Sequence, residues 1–212
     1  KRLIERLGLD VTRERLAESV ERAVAAAKEI GYPVVLKAVS DAIPHKTEKG
    51  LVIIGLEDDS AVVSAWDALR DRLAGEDTSD ALILVQEMVT KGIEVFAGVA
   101  HHPGYGHVLA FGLGGVELEL ERDVAIRMLP LRQGEAEAMI GEIRGAARFA
   151  PFRGRPAADV VSLARCLYAL SDLMAVAGDD IRELDLNPIK LMATGEGCVI
   201  VDALILPMNS KG

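Results

Sequence analysis

Helical and strand-like periodicities alternate through both halves of this chain, and that alternation limits its fold more than any other feature. Ser19 precedes Val20, Ala23, Val24, Ala27 and Ile30 at helical spacing, with Gly31 beyond, which predicts a capped helix over 20–30. Residues 32–39, opened by Pro33, and 51–56 are β-rich, so 40–50 reads as a polar, charged loop or hairpin. Ser60 is the expected cap of a second helix through Val62, Ala65, Trp66, Leu69 and Leu73, followed by a short strand over 81–89. Strands over 93–100 and 107–111 flank a turn at Pro103, Gly104 and Gly106, and 124–129 extends the set. Helices are expected at 134–143 and 157–176, then strands over 181–192 and 198–206 around Gly195-Glu196-Gly197. Mixed elements in both halves predict an α+β chain of two subdomains, 1–89 with a preceding charged helix and 90–212.

With 212 residues, 50% of them apolar, the chain can bury a sizeable core and is not intrinsically disordered. Its 33 acidic against 24 basic side chains leave a net charge of −9, a field that repels nucleic-acid backbones. An anionic ligand therefore needs a local basic site. Cys166 and Cys198 match neither a metal-binding spacing nor a disulfide framework, which predicts a reducing, cytoplasmic setting. Without an apolar run of 18 residues or a signal-peptide series, no membrane association is expected. Lys1–Leu7 reads as the middle of a charged helix, so the sequence is expected to be a piece of a longer protein ending in a linker-like 209–212.

Several constellations carry chemistry. No P-loop occurs, and Glu117 stands where a dinucleotide loop beginning at Gly112 needs its third glycine. Lys37 lies in an otherwise apolar strand, sharing a face with Val35 and Val39; it either snorkels to the rim or meets an anion such as phosphate. The segment Ile43-Pro44-His45-Lys46-Thr47-Glu48-Lys49-Gly50 gathers an imidazole and two ammoniums, groups suited to a phosphate contact or phosphoryl acceptor, although charged loops are commonly only solvated. Gln86-Glu87-Met88-Val89 ends a strand and Glu94 begins the next. Such a connector offers backbone groups to an adenine edge and a carboxylate to ribose, or is simply a strand exit. Gly114 and Gly115, within Phe111–Gly115, bring backbone N–H groups near an anion or form a tight turn. Asp185 and Asn187 share one strand face opposite Leu184 and Leu186, and Asp202 interrupts an apolar run in the next strand. Such oxygen donors suit Mg²⁺ held jointly with phosphates, or form a polar edge. A joint site requires that 187 pair with 202 or a residue an even number of places from it.

YPVVLK, IPHKTEKG, VQEMV with a following Glu, FGLGG, and ELDLNP closing on VDALI occur here in the order of one family. Over roughly 9–206 the chain resembles the ATP-grasp domain of the nucleoside-diphosphate-forming acyl-CoA synthetases, relatives of succinyl-CoA synthetase. The resemblance implies an ATP-grasp fold, two α+β subdomains with nucleotide between them, in an acid–thiol ligase that uses ATP/ADP and Mg²⁺. By that resemblance Lys37 holds phosphates, Gln86, Glu87, Met88 and Val89 form the adenine hinge, Glu94 contacts ribose, and Asn187 and Asp202 hold the metal. Asp185 matches an acid that steadies a phosphohistidine, and His45 matches a second, relaying histidine. The implied partner is a CoA-binding and ligase domain or subunit carrying a mobile phosphohistidine loop, within an oligomeric enzyme. Nucleic acid and membrane are not implied. The chain departs from the family where Leu51 follows Gly50 in place of a second glycine. A different reading is a regulatory nucleotide-binding module fused to a protein acetyltransferase, which the adjoining region of the parent protein distinguishes.

Overall fold

The computed structural model describes residues 1–39, 50–74, 82–115 and 123–208. In chain order they form α1 (Arg2–Arg6), β1 (Asp10–Val11), β2 (Glu14–Ala17), α2 (Val20–Ile30), β3 (Val34–Val39), β4 (Val52–Leu56), α3 (Asp59–Leu73), β5 (Leu82–Glu87), β6 (Ile93–His102), β7 (Gly106–Leu113) and β8 (Val124–Met128). Then come α4 (Glu135–Glu142), a 3-10 turn at Arg144–Phe149, α5 (Val160–Ala177), β9 (Ile181–Leu191), β10 (Cys198–Ile200) and β11 (Ala203–Pro207). These elements compose two compact units, one of Thr12–Thr90, the other of Lys1–Val11 with the chain from Lys91 onward.

In the Thr12–Thr90 unit the sheet runs β2-β5-β3-β4. Apolar residues of α2 (Ala23, Ala27, Ile30) and α3 (Val62, Leu69) bury Val34, Leu36, Ile83 and Val85 on one face. Ser19 caps α2 as expected, accepting from the Arg22 N–H at 3.4 Å. The cap of α3 is Asp58, not Ser60: Asp58 Oδ1 accepts from the Ala61 N–H at 2.8 Å, and the Ser60 hydroxyl donates to the same oxygen at 2.6 Å. The helix begins at Asp59, so Ser60 is already inside its first turn, and the extended residue before it, Asp58, is the one whose carboxylate faces the free N–H groups and the positive helix end.

The other unit has a seven-stranded sheet ordered β1-β10-β9-β6-β7-β8, with β11 also on β9. α4 and α5 cover one face, packing Met139, Leu163, Leu167 and Leu170 onto Val95, Ala97, Val99, Phe111, Leu184 and Leu186. Ile4 of α1 is fully buried in this core, and β1 pairs in parallel with β10. The first eleven residues therefore depart from the expected division: they pack with the second unit, not with the segment that follows them. Val160–Asp180 is long and apolar enough to cross a bilayer by length and composition alone. Its apolar side, including Leu163, Leu167, Leu170 and Met174, is buried against the sheet, which accounts for that composition within the unit.

Asp159 fixes the entry to α5. Only 6% exposed, it accepts from the Ser162 N–H at 3.1 Å through Oδ1, and from the Gly195 and Gly197 N–H groups at 2.9 and 3.1 Å through Oδ2. These backbone donors hold its carboxyl below the ordinary range despite burial. Asp159→Ala is expected to cost about 2 kcal/mol, from a lost cap and two further lost hydrogen bonds to partly exposed backbone N–H groups, as measured by urea unfolding. Because the folded pKa is lowered, the contribution is present above the unfolded carboxylate value and disappears as pH falls through the folded one. The difference between variant and parent should therefore narrow in acid.

Candidate functional site

In the Thr12–Thr90 unit, β3 places Lys37 opposite Leu84 of β5 and Val52 of β4, on the face away from α2 and α3. Gln86, opposite Val35, shares that face. Its side chain is almost fully buried, donating from Nε2 to Thr12 Oγ1 at 2.7 Å and Glu14 Oε2 at 3.4 Å. Glu87 is likewise engaged: the Arg13 guanidinium donates to both of its oxygens at 3.1 and 3.2 Å, and holds its carboxyl below the ordinary range. The Glu87 N–H donates to Arg13 O at 2.9 Å and the Met88 N–H to Pro33 O at 3.2 Å. Of the four expected hinge residues, Val89 is the one whose N–H donates to no backbone carbonyl among the described residues. Thr12 and Arg13, which brace the hinge, escaped sequence reasoning because they lie 74 residues from the side chains they hold.

In the other unit, the sheet face away from α4 and α5 collects the remaining candidates. Glu94 of β6 stands directly opposite Lys190 of β9, and Gly98 opposite Asp185. Between these pairs the β6–β9 register shifts, so both Asn187 and Pro188 lie abreast of Phe96. Simple alternation from Asp185 sends Ile189 to the acidic face. With the bulge, Ile189 is fully buried in the core and Lys190 joins the acids. On the far side of β9, Cys198–Ile200 and Ala203–Pro207 are split at residues 201–202, where the expected single strand breaks. Ile200 pairs with Ile189 and Ala203 with Leu186, so Asp202 falls directly opposite Asn187, and the Asn187 N–H donates to Asp202 O at 3.2 Å. The register required for a shared site is present.

Electrostatics agree with that geometry. Burial first, then the charges of Glu183 and Asp202, push the carboxyl of half-buried Asp185 upward. A negative potential of this kind attracts a cation. Among the described residues no group of three or more His, Cys, Asp and Glu side chains is placed to hold a metal, so an ion at Asn187 and Asp202 needs further oxygens from elsewhere. Gly98 leaves room beside the acid: a Cβ there would lie 3.4 Å from Asp185 Oδ1. The Gly114 N–H donates to Glu94 O at 2.8 Å, which sets the Gly114–Gly115 turn against Glu94. Glu94, Gly114, Gly115, Asp185, Asn187 and Asp202 thus belong to one unit, and Lys37 with Gln86–Val89 to the other. His45 lies outside the described residues.

A family profile describing the ATP-grasp domain matches residues 1–206. The chain belongs to the ATP-grasp family. This ATP-grasp chain is 35% identical over 208 residues to the beta subunit of the ADP-forming acetate–CoA ligase II of Pyrococcus furiosus, a match covering 97% of this chain and 88% of that subunit. It is also 35% identical over 205 residues to the ADP-forming 4-hydroxybutyrate–CoA ligase of Nitrosopumilus maritimus, covering 96% of this chain but 29% of that longer protein. Among solved structures, the dinucleotide-forming acetyl-coenzyme A synthetase 1 of Ca. Korarchaeum cryptofilum in complex with coenzyme A, Ca-AMPCP and HgCl+ superimposes with a TM-score of 0.89 at 35% identity, covering 97% of this chain and 90% of that one. The same enzyme with coenzyme A and Mg-AMPPCP, its phosphohistidine segment pointing towards the nucleotide binding site, gives 0.82 at 33% identity over 97% and 89% of the two chains. The ATP-grasp fold follows, and the chain corresponds to the ATP-grasp part of ADP-forming acyl-CoA ligases.

Proposed function

We propose that this chain binds ADP and ATP with Mg²⁺ and carries the nucleotide side of phosphoryl transfer between a phosphohistidine and ADP in an ADP-forming acyl-CoA synthetase. The observation that carries the reading is the direct pairing of Asn187 with Asp202 beside the raised carboxyl of Asp185. Asn187 and Asp202 supply two oxygens to the metal, which when bound offsets charge on the phosphates. Lys37 offers its ammonium to the phosphates, the Val89 N–H its proton to adenine, and Glu94 its carboxylate to ribose. Asp185, in a negative field, accepts from the free N–H of the incoming phosphoimidazole and steadies its positive charge; that charge is lost when the imidazole leaves with the P–N electron pair as an oxygen of ADP forms the P–O bond. The family's phosphohistidine segment belongs to a CoA-binding partner, domain or subunit, with His45 as an intermediate relay. In-line placement of donor and acceptor then requires both parts.

The test uses the chain alone and then with its partner. MgADP at about 100 times its Kd should raise the melting temperature by about 5–10 °C. The isolated chain mixed with acyl-CoA, ADP and phosphate should make no ATP, and adding the partner should restore synthesis. No nucleotide binding sinks the proposal. Binding without partner-dependent turnover favours the regulatory module fused to an acetyltransferase.

A further inference from the structure

Glu94 is held from two sides. Lys190 Nζ lies 2.8 Å from Glu94 Oε1, and the pair is fixed by backbone register, because residues 94 and 190 are direct cross-strand partners. The Lys190 side chain is 15% exposed against 40% for Glu94, so the ammonium is the anchored member and the carboxylate the accessible one. The second oxygen, Oε2, is directed at the Gly114–Gly115 turn: a Cβ on Gly115 would stand 3.0 Å from it. Gly115 has φ +74, in the left-handed region where glycine is at ease, and the Gly114 N–H bond to Glu94 O fixes the distance between turn and strand.

We infer that Lys190 and Gly115 are positioning residues that present a single oxygen of Glu94, Oε2, to a ribose hydroxyl, and so make the chain selective for ribonucleoside over deoxyribonucleoside phosphates. The inference rests on the proposed nucleotide function and deepens it. Lys190 occupies Oε1 and restrains rotation of the carboxylate, so the remaining acceptor points one way. Gly115 keeps that oxygen uncovered. A carboxylate free to rotate, or one capped by a methyl group, still carries its charge but loses the directed acceptor that a hydroxyl would recognise. A hydrogen bond to an ionised acceptor is worth enough to discriminate by about tenfold or more.

The experiment is a calorimetric titration of the full chain with MgADP, Mg-2′-deoxy-ADP and Mg-3′-deoxy-ADP, repeated for Lys190→Met, Lys190→Arg and Gly115→Ala. The parent should favour ADP over at least one deoxy analogue by about tenfold. Lys190→Met and Gly115→Ala should each reduce that ratio to about twofold or less, while Lys190→Arg, which retains a donor to Oε1, keeps most of it. The ratio is the deciding quantity, because a general loss of structure weakens all three ligands together. If Lys190→Met binds every nucleotide less well but keeps the parental ratio, the ion pair is only structural and the inference fails. If the parent binds ADP and its deoxy analogues equally, Glu94 does not read ribose, and the inference fails while nucleotide binding stands. No binding of ADP by the parent removes the nucleotide reading and this inference with it.

Discussion

Lys37→Ala is expected to lower ADP affinity about 10- to 100-fold, the loss of one or two charge-assisted hydrogen bonds, while the melting temperature of the ligand-free chain changes little. The reason lies in the faces of β3. Leu36 and Ala38 point into the core beneath α2 and α3, and removing the Lys37 side chain leaves that packing intact, because Lys37 emerges on the opposite face. An ammonium among apolar strand neighbours has a simpler explanation, that its stem covers the sheet while its head reaches water. Lys37→Met separates the two. It keeps most of the stem and removes the charge, so calorimetry should show the same loss of ADP affinity as for alanine. Parental affinity in the methionine variant would return Lys37 to a packing role.

Elements built from local pattern were legible in the sequence, and those built from distant pairing were not. The helix expected over 20–30 is Val20–Ile30, and the strands expected over 93–100 and 107–111 are Ile93–His102 and Gly106–Leu113, because an apolar stripe or a glycine turn encodes each within a few residues. β1 has two residues and β2 four; neither carries a periodic signal. Each exists as a strand through a partner far along the chain, β1 through β10 and β2 through β5. The same cause misplaced the N-terminal helix, whose Ile4 is committed by tertiary packing. Within the candidate site, the facing of Asn187 and Asp202 was legible as a condition on register. Lys190 was not, since the bulge at 187–188 reverses the alternation from which its face would be read.

Asp202→Asn should act in opposite directions with and without metal. Asp202 Oδ1 accepts from the Ala203 N–H at 3.1 Å, and an amide oxygen can keep that bond, so the passage from residue 202 into β11 is retained and the charge alone is lost. Affinity for MgADP should fall about 10- to 100-fold, whereas affinity for ADP measured in a chelator should hold or rise, since without the metal the carboxylate's negative charge disfavours phosphate nearby. A second consequence is read without any ligand. Asp202 is one of the charges that, after burial itself, push the Asp185 carboxyl upward, so the variant should show Asp185 titrating closer to its ordinary range by carboxyl NMR. The linkage has a definite direction. With a raised folded pKa, Asp185 contributes stability that is fully present below the unfolded value, near 3.9, and lost as pH rises through the folded one. Removing the Asp202 charge reduces that loss, and the ligand-free variant should be more stable than the parent at neutral pH. A variant in which Asp185 moves downward but MgADP binds with parental affinity would keep the electrostatic cluster and exclude Asp202 as a metal ligand.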